Sequence, residues 1–326
     1  MSFGVEDVKD ACRRIRPFLK ETPLEPSFYL GGGCGETGGR RNYFFKLESF
    51  TPVKSFKVRG ALNKMLTLTE EEKARGVATI SSGNHGSSVA YAASLLGIDK
   101  AQIIIPQTAP HSKVERIEYF GGTVLQMGAN YDEAHAMGME HIEKSGMTFI
   151  DAYYDDPLIY AGQGTIAIEV LEQNPDIDTI VIPIGGGGLS TGIAVAAKAL
   201  KPDIRIIGVQ TEACPAMIAS YADGVCYEEY PISDTICDAV VGGVGVLSYA
   251  MLKDYCDDMI EIKEESAARA VSFMAKNEKY IIEPSSCLTV AAVMDYPERV
   301  GGKNIALILS GGNIDGDLLT ELLNKY

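Results

Sequence analysis

The sequence predicts an α/β protein built on open parallel sheets, and three observations carry that prediction. Between Val77 and Ile150, short β-branched runs alternate with helical patterns, as in a string of βαβ units. Thr179–Ile184 is apolar throughout, as a strand covered on both faces requires. The chain has 326 residues, too many for one small core and enough for two α/β domains or one large one.

The elements follow in chain order. Val5–Ile15 has the spacing of an amphipathic helix, and Thr22-Pro23-Leu24 begins an extended stretch. Gly31–Gly39 is glycine-rich but runs into an aromatic strand, Tyr43–Leu47. A phosphate cradle needs a helix start behind it, so this stretch is expected to be a hairpin or loop. Pro52 and Ser55 mark a loop-to-helix junction, and Phe56, Leu62, Met65 and Leu66 continue at helical spacing. Lys57 therefore falls in the first turn of a helix.

Strand Val77–Ile80 leads through the polar turn Ser81–Gly86 into a small-residue helix, His85–Leu96. Strands Gln102–Ile105, Thr123–Gln126 and Thr148–Ile150 alternate with helices His111–Phe120 and Tyr131–Lys144. Asp155-Asp156-Pro157 reads as a boundary before a longer helix, Leu158–Gln173. Thr179–Ile184 opens through Gly185, Gly186, Gly187 and Gly188 into helix Leu189–Ala199, and Arg205–Gln210 is the next strand. A loop-rich region is expected to about Val246, then helices Leu247–Cys256, Glu264–Asn277 and Ser286–Met294. The last strand is Asn304–Leu309, and no added regulatory domain is expected after it.

Composition removes several classes of function. A formal net charge of −15, from 29 basic and 44 acidic residues, argues against nucleic acid or an anionic membrane as the main partner. Seven dispersed cysteines with no CxxC spacing suggest reduced thiols in a cytoplasmic protein, with neither a disulfide frame nor a zinc site. Nothing reads as a signal peptide, and no apolar run reaches membrane-spanning length.

Four loops carry chemistry. Burial and the positive end of a helix both disfavour an ammonium, so Lys57 can act as a neutral amine able to form an imine, although the stretch alone reads first as a surface lysine at a helix start. The four glycines let bare N–H groups approach an anion at a helix start. Their spacing fails both the dinucleotide fingerprint and the nucleotide P-loop, so a single phosphate fits better than a pyrophosphate, with a tight strand-to-helix turn as the alternative. Asn84, at a strand's carboxyl end, presents an amide donor, and the helix start after it has N–H groups for a carboxylate. Ser310 puts a hydroxyl after the last strand. An imine-forming lysine, a phosphate cradle, an amide for a phenolic oxygen and a lone hydroxyl match the functional groups of pyridoxal 5′-phosphate.

The motifs Ser55-Phe56-Lys57-Val58-Arg59-Gly60-Ala61, Ser82-Gly83-Asn84-His85, Ala161-Gly162-Gln163-Gly164-Thr165, Gly185–Leu189, Ile282-Glu283-Pro284 and Leu309-Ser310-Gly311-Gly312-Asn313 occur in order along nearly the whole chain. In them the sequence resembles the fold-type II pyridoxal-phosphate enzymes, in the serine/threonine dehydratase and serine racemase branch. The resemblance implies two open parallel-sheet domains with the cofactor in the cleft between them. Residues 1–76 and 156–326 would form the large domain, and 77–155 a small mobile one. It implies that Lys57 binds the cofactor as a Schiff base, with Phe56 near the ring, Asn84 on its hydroxyl and Ser310 on its pyridine nitrogen. Gly185, Gly186, Gly187, Gly188 and Leu189 would hold the phosphate, with Glu283 also on the cofactor. Ser81, Ser82, Asn84 and His85 would meet the substrate.

The implied reaction is loss of water and ammonia from L-threonine or L-serine, a lyase activity giving 2-oxobutanoate or pyruvate. Serine racemase is the main alternative, because there a serine directly before Gly-Asn-His serves as acid/base on the face opposite the lysine, and Ser82 matches it. A 3-hydroxyaspartate dehydratase and a catalytically silent binder are further alternatives. A homodimer is the family expectation. Two departures bear on substrate and metal. Asn84-His85-Gly86-Ser87 and Asp234–Ala239 differ from the usual dehydratase loops. Gln210 and Ala216 stand where cation-binding members have acidic side chains, so no metal is expected.

Overall fold

The computed structural model describes residues 3–31, 41–152 and 154–326. Glycine-rich residues 32–39, expected to form a hairpin or loop, and Cys34 among them lie outside the described residues. The described strands are β1 (Leu24–Pro26), β2 (Asn42–Leu47), β3 (Val77–Ile80), β4 (Ala101–Ile105), β5 (Thr123–Gln126), β6 (Thr148–Phe149), β7 (Thr179–Pro183), β8 (Arg205–Thr211), β9 (Asp258–Ile262) and β10 (Asn304–Leu309). They form two sheets, one six-stranded in the order β1-β2-β10-β7-β8-β9 and one four-stranded in the order β5-β4-β3-β6. Every pairing is parallel except that of β1 with β2.

Strand periodicity divides each sheet between two faces. In the four-stranded sheet Ile103 and Ile105 join Val89, Ala92 and Ala93 of helix Asn84–Leu95 in one cluster. Ile104 points the other way, to Ile142 of helix Tyr131–Ser145. In the six-stranded sheet Ile180, Ile182, Ala306 and Ile308 share a cluster with helices Val5–Ile15, Pro157–Gln173 and Gly188–Leu200. Val181, Leu307 and Leu309 instead meet Leu288, Val290 and Ala291 of helix Pro284–Asp295. Both sheets are thus covered on both faces, which is why their strands read as continuous apolar runs.

Helix Lys57–Leu66 joins the two halves. It packs on helix Asn84–Leu95 from the four-stranded unit and on helix Pro157–Gln173 from the six-stranded one. Glycine permits the second contact: a Cβ on Gly162 would lie 2.5 Å from Arg59 O and 2.6 Å from Gly60 Cα. Beneath that crossing lies a buried ion cluster. Arg59 Nε donates to Glu48 at 2.7 Å, and Arg59 Nη1 donates to Glu169 at 2.6 Å. Lys46 Nζ donates to Glu169 at 2.6 Å and to Thr22 O at 2.7 Å. Two cations and two carboxylates balance, and the pairing outweighs the opposing effect of burial to hold Glu169 well below the ordinary carboxylate range.

Several elements depart from the sequence expectation. Within the region expected to be loop-rich stands helix Ala216–Asp223, and β9 follows it beyond the next helix. Helices Glu70–Arg75 and Gly316–Lys325 are further additions. The helix expected over Glu264–Asn277 is α-helical to Phe273 and continues as a π-turn, Met274–Glu278, closed by Lys279 at φ 66°. Cys12, Cys214, Cys226, Cys237, Cys256 and Cys287 are free thiols. No described helix is long and apolar enough to cross a membrane.

Candidate active site

Topology assembles the site at the carboxyl ends of the strands, where parallel sheets leave backbone groups and loops for ligands. Because β10 inserts between β2 and β7, Ser310 follows the strand next to the one that leads into Gly185. The lysine loop is tied to the same edge. Phe56 N donates to Ser310 O at 2.9 Å, and Gly312 N to Lys54 O at 2.9 Å.

Lys57 is the first residue of its helix, behind Phe56 as N-cap. Its Nζ donates to Ala152 O at 2.9 Å and lies 5.3 Å from the centre of the Phe56 ring. Burial lowers its pKa to about 8, against the pull of Asp151 and Glu283, which favour the ammonium. A substantial neutral fraction therefore exists near physiological pH, as a nucleophile or base requires.

Asn84 begins helix Asn84–Leu95, just past the end of β3. Its Nδ2 donates to both Glu283 oxygens, at 3.1 and 3.2 Å, and its Oδ1 accepts from Asn313 Nδ2 at 2.6 Å. Asn313 N also donates to Glu283 at 3.1 Å. Burial raises Glu283 to about 7, although the Asn84 and Asn313 hydrogen bonds favour its ionised form. One asparagine from the four-stranded unit is thus held by a carboxylate and an asparagine from the six-stranded unit.

Ser81 and Ser82 are half-buried in the turn before Asn84. The His85 ring is buried, and Nε2 meets Ile150 O at 2.9 Å. Burial, with the nearby Lys57 charge, depresses it to about 3. It is neutral at physiological pH, so Nε2–H donates to the carbonyl while Nδ1 has no protein partner.

The glycine loop connects β7 to helix Gly188–Leu200. Gly187 has φ +100°, and a Cβ there would lie 2.4 Å from Ser248 Cβ. Only glycine fits on both counts. The first-turn N–H groups at Gly188, Leu189 and Ser190 have no carbonyl one turn earlier within the helix, and Leu189 itself is buried. Gly185 and Gly186 are half-buried. Ser310 is buried, with Oγ 2.8 Å from Ser286 Oγ. Gly311 N donates to Ser286 Oγ at 2.7 Å, which fixes that pair of hydroxyls.

Ser286 and Asn313 carry no role in the sequence reading, although both stand inside or beside recognised motifs. Each acts through a partner distant in sequence, so no local pattern marks it. The donor set as a whole fits pyridoxal 5′-phosphate: an amine about half neutral near pH 8, helix-start N–H groups for a phosphate, an amide for a ring oxygen and a hydroxyl for a ring nitrogen.

Comparison with known proteins agrees. A family model described as "pyridoxal-phosphate dependent enzyme" matches residues 15–311. The chain is 39% identical over 322 residues to an L-threonine ammonia-lyase of Thermotoga maritima, covering 98% of this chain and 78% of that protein. It is 37% identical over 313 residues to a catabolic L-threonine dehydratase of Staphylococcus aureus, covering 95% and 88%. The solved structure of maize serine racemase superposes with a TM-score of 0.89 at 32% identity, covering 100% of this chain and 98% of that one. The chain belongs to the pyridoxal-phosphate-dependent enzyme family, in its two-sheet α/β form.

Proposed function

We propose that the protein is a pyridoxal-phosphate-dependent ammonia-lyase that converts L-threonine or L-serine to 2-oxobutanoate or pyruvate and ammonia. The observation that carries this reading is Lys57, a buried amine poised near neutrality among the strand ends. Support comes from the threonine ammonia-lyase and threonine dehydratase among its relatives. An intact lysine of this kind also argues against a silent binder.

When bound, pyridoxal 5′-phosphate supplies an aldehyde for amines and an electron-withdrawing ring that acidifies the substrate's α C–H bond. The chain's own residues have the following parts. Gly185–Gly188 and Leu189 would hold the phosphate through N–H groups, with Asn84 for the ring oxygen and Phe56 beside the ring. Glu283 and Asn313 orient Asn84. Ser310 meets the ring nitrogen, braced by Ser286. A neutral hydroxyl cannot protonate that nitrogen as a carboxylic acid would. Lys57 Nζ takes the α-proton, and Ser81 and Ser82 line the substrate side together with the N–H groups at the start of helix Asn84–Leu95. His85, buried on Ile150 O, holds the turn in place.

A second reading, serine racemase with side dehydratase activity, is favoured by one observation. Ser82 is half-buried in the turn where a proton donor for the opposite face is needed. The two units should act as domains: 77–155 closing on 1–76 plus 156–326. In this structure Lys113 pairs with Asp238 at 3.6 Å, and Arg116 donates to Val53 O at 2.7 Å, across that boundary. A cytoplasmic homodimer is the proposed state, and a monomer mass by light scattering at micromolar concentration would contradict it. The function is tested by incubating the protein and cofactor with L-threonine, L-serine or 3-hydroxyaspartate and assaying keto acid. Release from L-threonine or L-serine that disappears in Lys57→Ala supports the reading. No keto acid from either contradicts it.

A further inference from the structure

Among the buried polar side chains outside the site, Gln210 ties the residue before the glycine loop to the helix packed beside that loop. It sits near the end of β8, 1% exposed. Its Nε2 donates to Ile184 O at 3.3 Å. Its Oε1 accepts from Met217 N at 3.1 Å and from Ile218 N at 3.0 Å.

Both ends matter to the loop. Ile184 immediately precedes Gly185, and its own N–H donates to Val209 O at 2.8 Å. The Gln210 contact therefore fixes the last peptide before the glycines from a second side. Met217 and Ile218 lie in the first turn of helix Ala216–Asp223, whose N–H groups lack partners within the helix. The Met217 side chain in turn reaches Gly187: its Cε lies 3.2 Å from where a Cβ on that glycine would be. One amide thus clamps the loop's entry and the helix that packs against its third glycine.

The chemistry selects an amide. Ile184 O requires a donor and the two N–H groups an acceptor, and only a side chain with both at this reach serves all three. A glycine loop has little stiffness of its own, so its N–H groups converge on an anion only when their neighbours hold them there.

We infer that Gln210 is a positioning residue for the phosphate-binding loop, locking Gly185–Gly188 in the conformation that receives the cofactor's phosphate. This rests on the reading of that loop as the phosphate site. It predicts an effect confined to the phosphate half of the cofactor.

The test titrates apoprotein with pyridoxal 5′-phosphate and, separately, with pyridoxal, following visible absorption. Thermal melts of the apoprotein run in parallel. Gln210→Met has similar reach and neither donor nor acceptor. Gln210→Asn keeps both but is one methylene too short to span the two contacts. In either variant that folds, affinity for the phosphorylated form should fall about tenfold, while affinity for pyridoxal stays within about twofold of the native protein, as expected for the loss of two or three hydrogen bonds. Unchanged affinity for both forms, or an equal loss for both, overturns the assignment. If the native protein itself binds pyridoxal as tightly as its phosphate ester, the phosphate reading of the loop falls, and this inference with it. If the native protein discriminates and both variants discriminate equally, only the role of Gln210 falls.

Discussion

A lysine with a pKa of about 8 makes a testable chemical statement. Its folded value lies below the ordinary one because burial penalises the ammonium, so the reactive amine accumulates as pH rises. The rate at which apoprotein captures the cofactor aldehyde should climb with pH, reach half its limit near pH 8 and level off above it. Stopped-flow absorption at several pH values measures this. A profile still rising as steeply at pH 10 would mean an unshifted lysine. The helix start under Lys57 was legible because loop, helix start and aromatic neighbour are contiguous, whereas its contact with Ala152 O, 95 residues on, was not. The Asn84–Glu283 contact was not, since its partners stand 199 residues apart. The motifs mark the two residues without saying that they touch. Ser286 is the same case, an ordinary helix serine until the fold puts it against Ser310.

At the scale of elements, the glycine loop gives the sharpest prediction. Gly187→Ala imposes a side chain at φ +100° and a Cβ 2.4 Å from Ser248 Cβ, so either the loop or helix Val246–Tyr255 must shift. Affinity for pyridoxal 5′-phosphate should fall at least tenfold, read by absorption titration. Undiminished binding would show that the loop does not hold the phosphate. Strand-and-helix alternation was readable wherever strands are buried on both faces, as in β3, β4, β7 and β10. It held even for β5, an edge strand with no buried residue, and missed β9. β9 lies at the sheet edge with only Ile260 and Ile262 buried, and its five residues carried no assignment between two expected helices. Helix Glu70–Arg75 buries nothing, so hydrophobic periodicity could not reveal it. Its signal was instead the capping box of Thr69 and Glu72, with Glu72 N donating to Thr69 Oγ1 at 3.2 Å.

For the whole molecule, the ion cluster under helix Lys57–Leu66 ties together β2, the loop after it and helix Pro157–Gln173. Arg59→Met removes one of two cations facing two buried carboxylates, leaving an uncompensated charge in the core. It should destabilise the protein by about 3–5 kcal/mol, measured by denaturant unfolding of the apoprotein. A loss below about 1 kcal/mol would show that water reaches the cluster. The two-sheet architecture was legible as a pattern of parallel units. What the sequence did not disclose is that helix Lys57–Leu66 is the surface through which both units meet, because that depends on the close approach at Gly162. The same surface decides the chemistry. Lys57 projects from it on one side, and Ser82, on the turn after β3, comes from the other unit. Whether a proton returns from that second side separates elimination from racemisation. The most direct test is chiral chromatography, with keto acid assay, of L-serine reacting with the cofactor-loaded protein. Pyruvate should form faster than D-serine from the first minutes, and Ser82→Ala should abolish the D-serine while largely sparing pyruvate. D-serine outrunning pyruvate would contradict the account and make the protein a racemase.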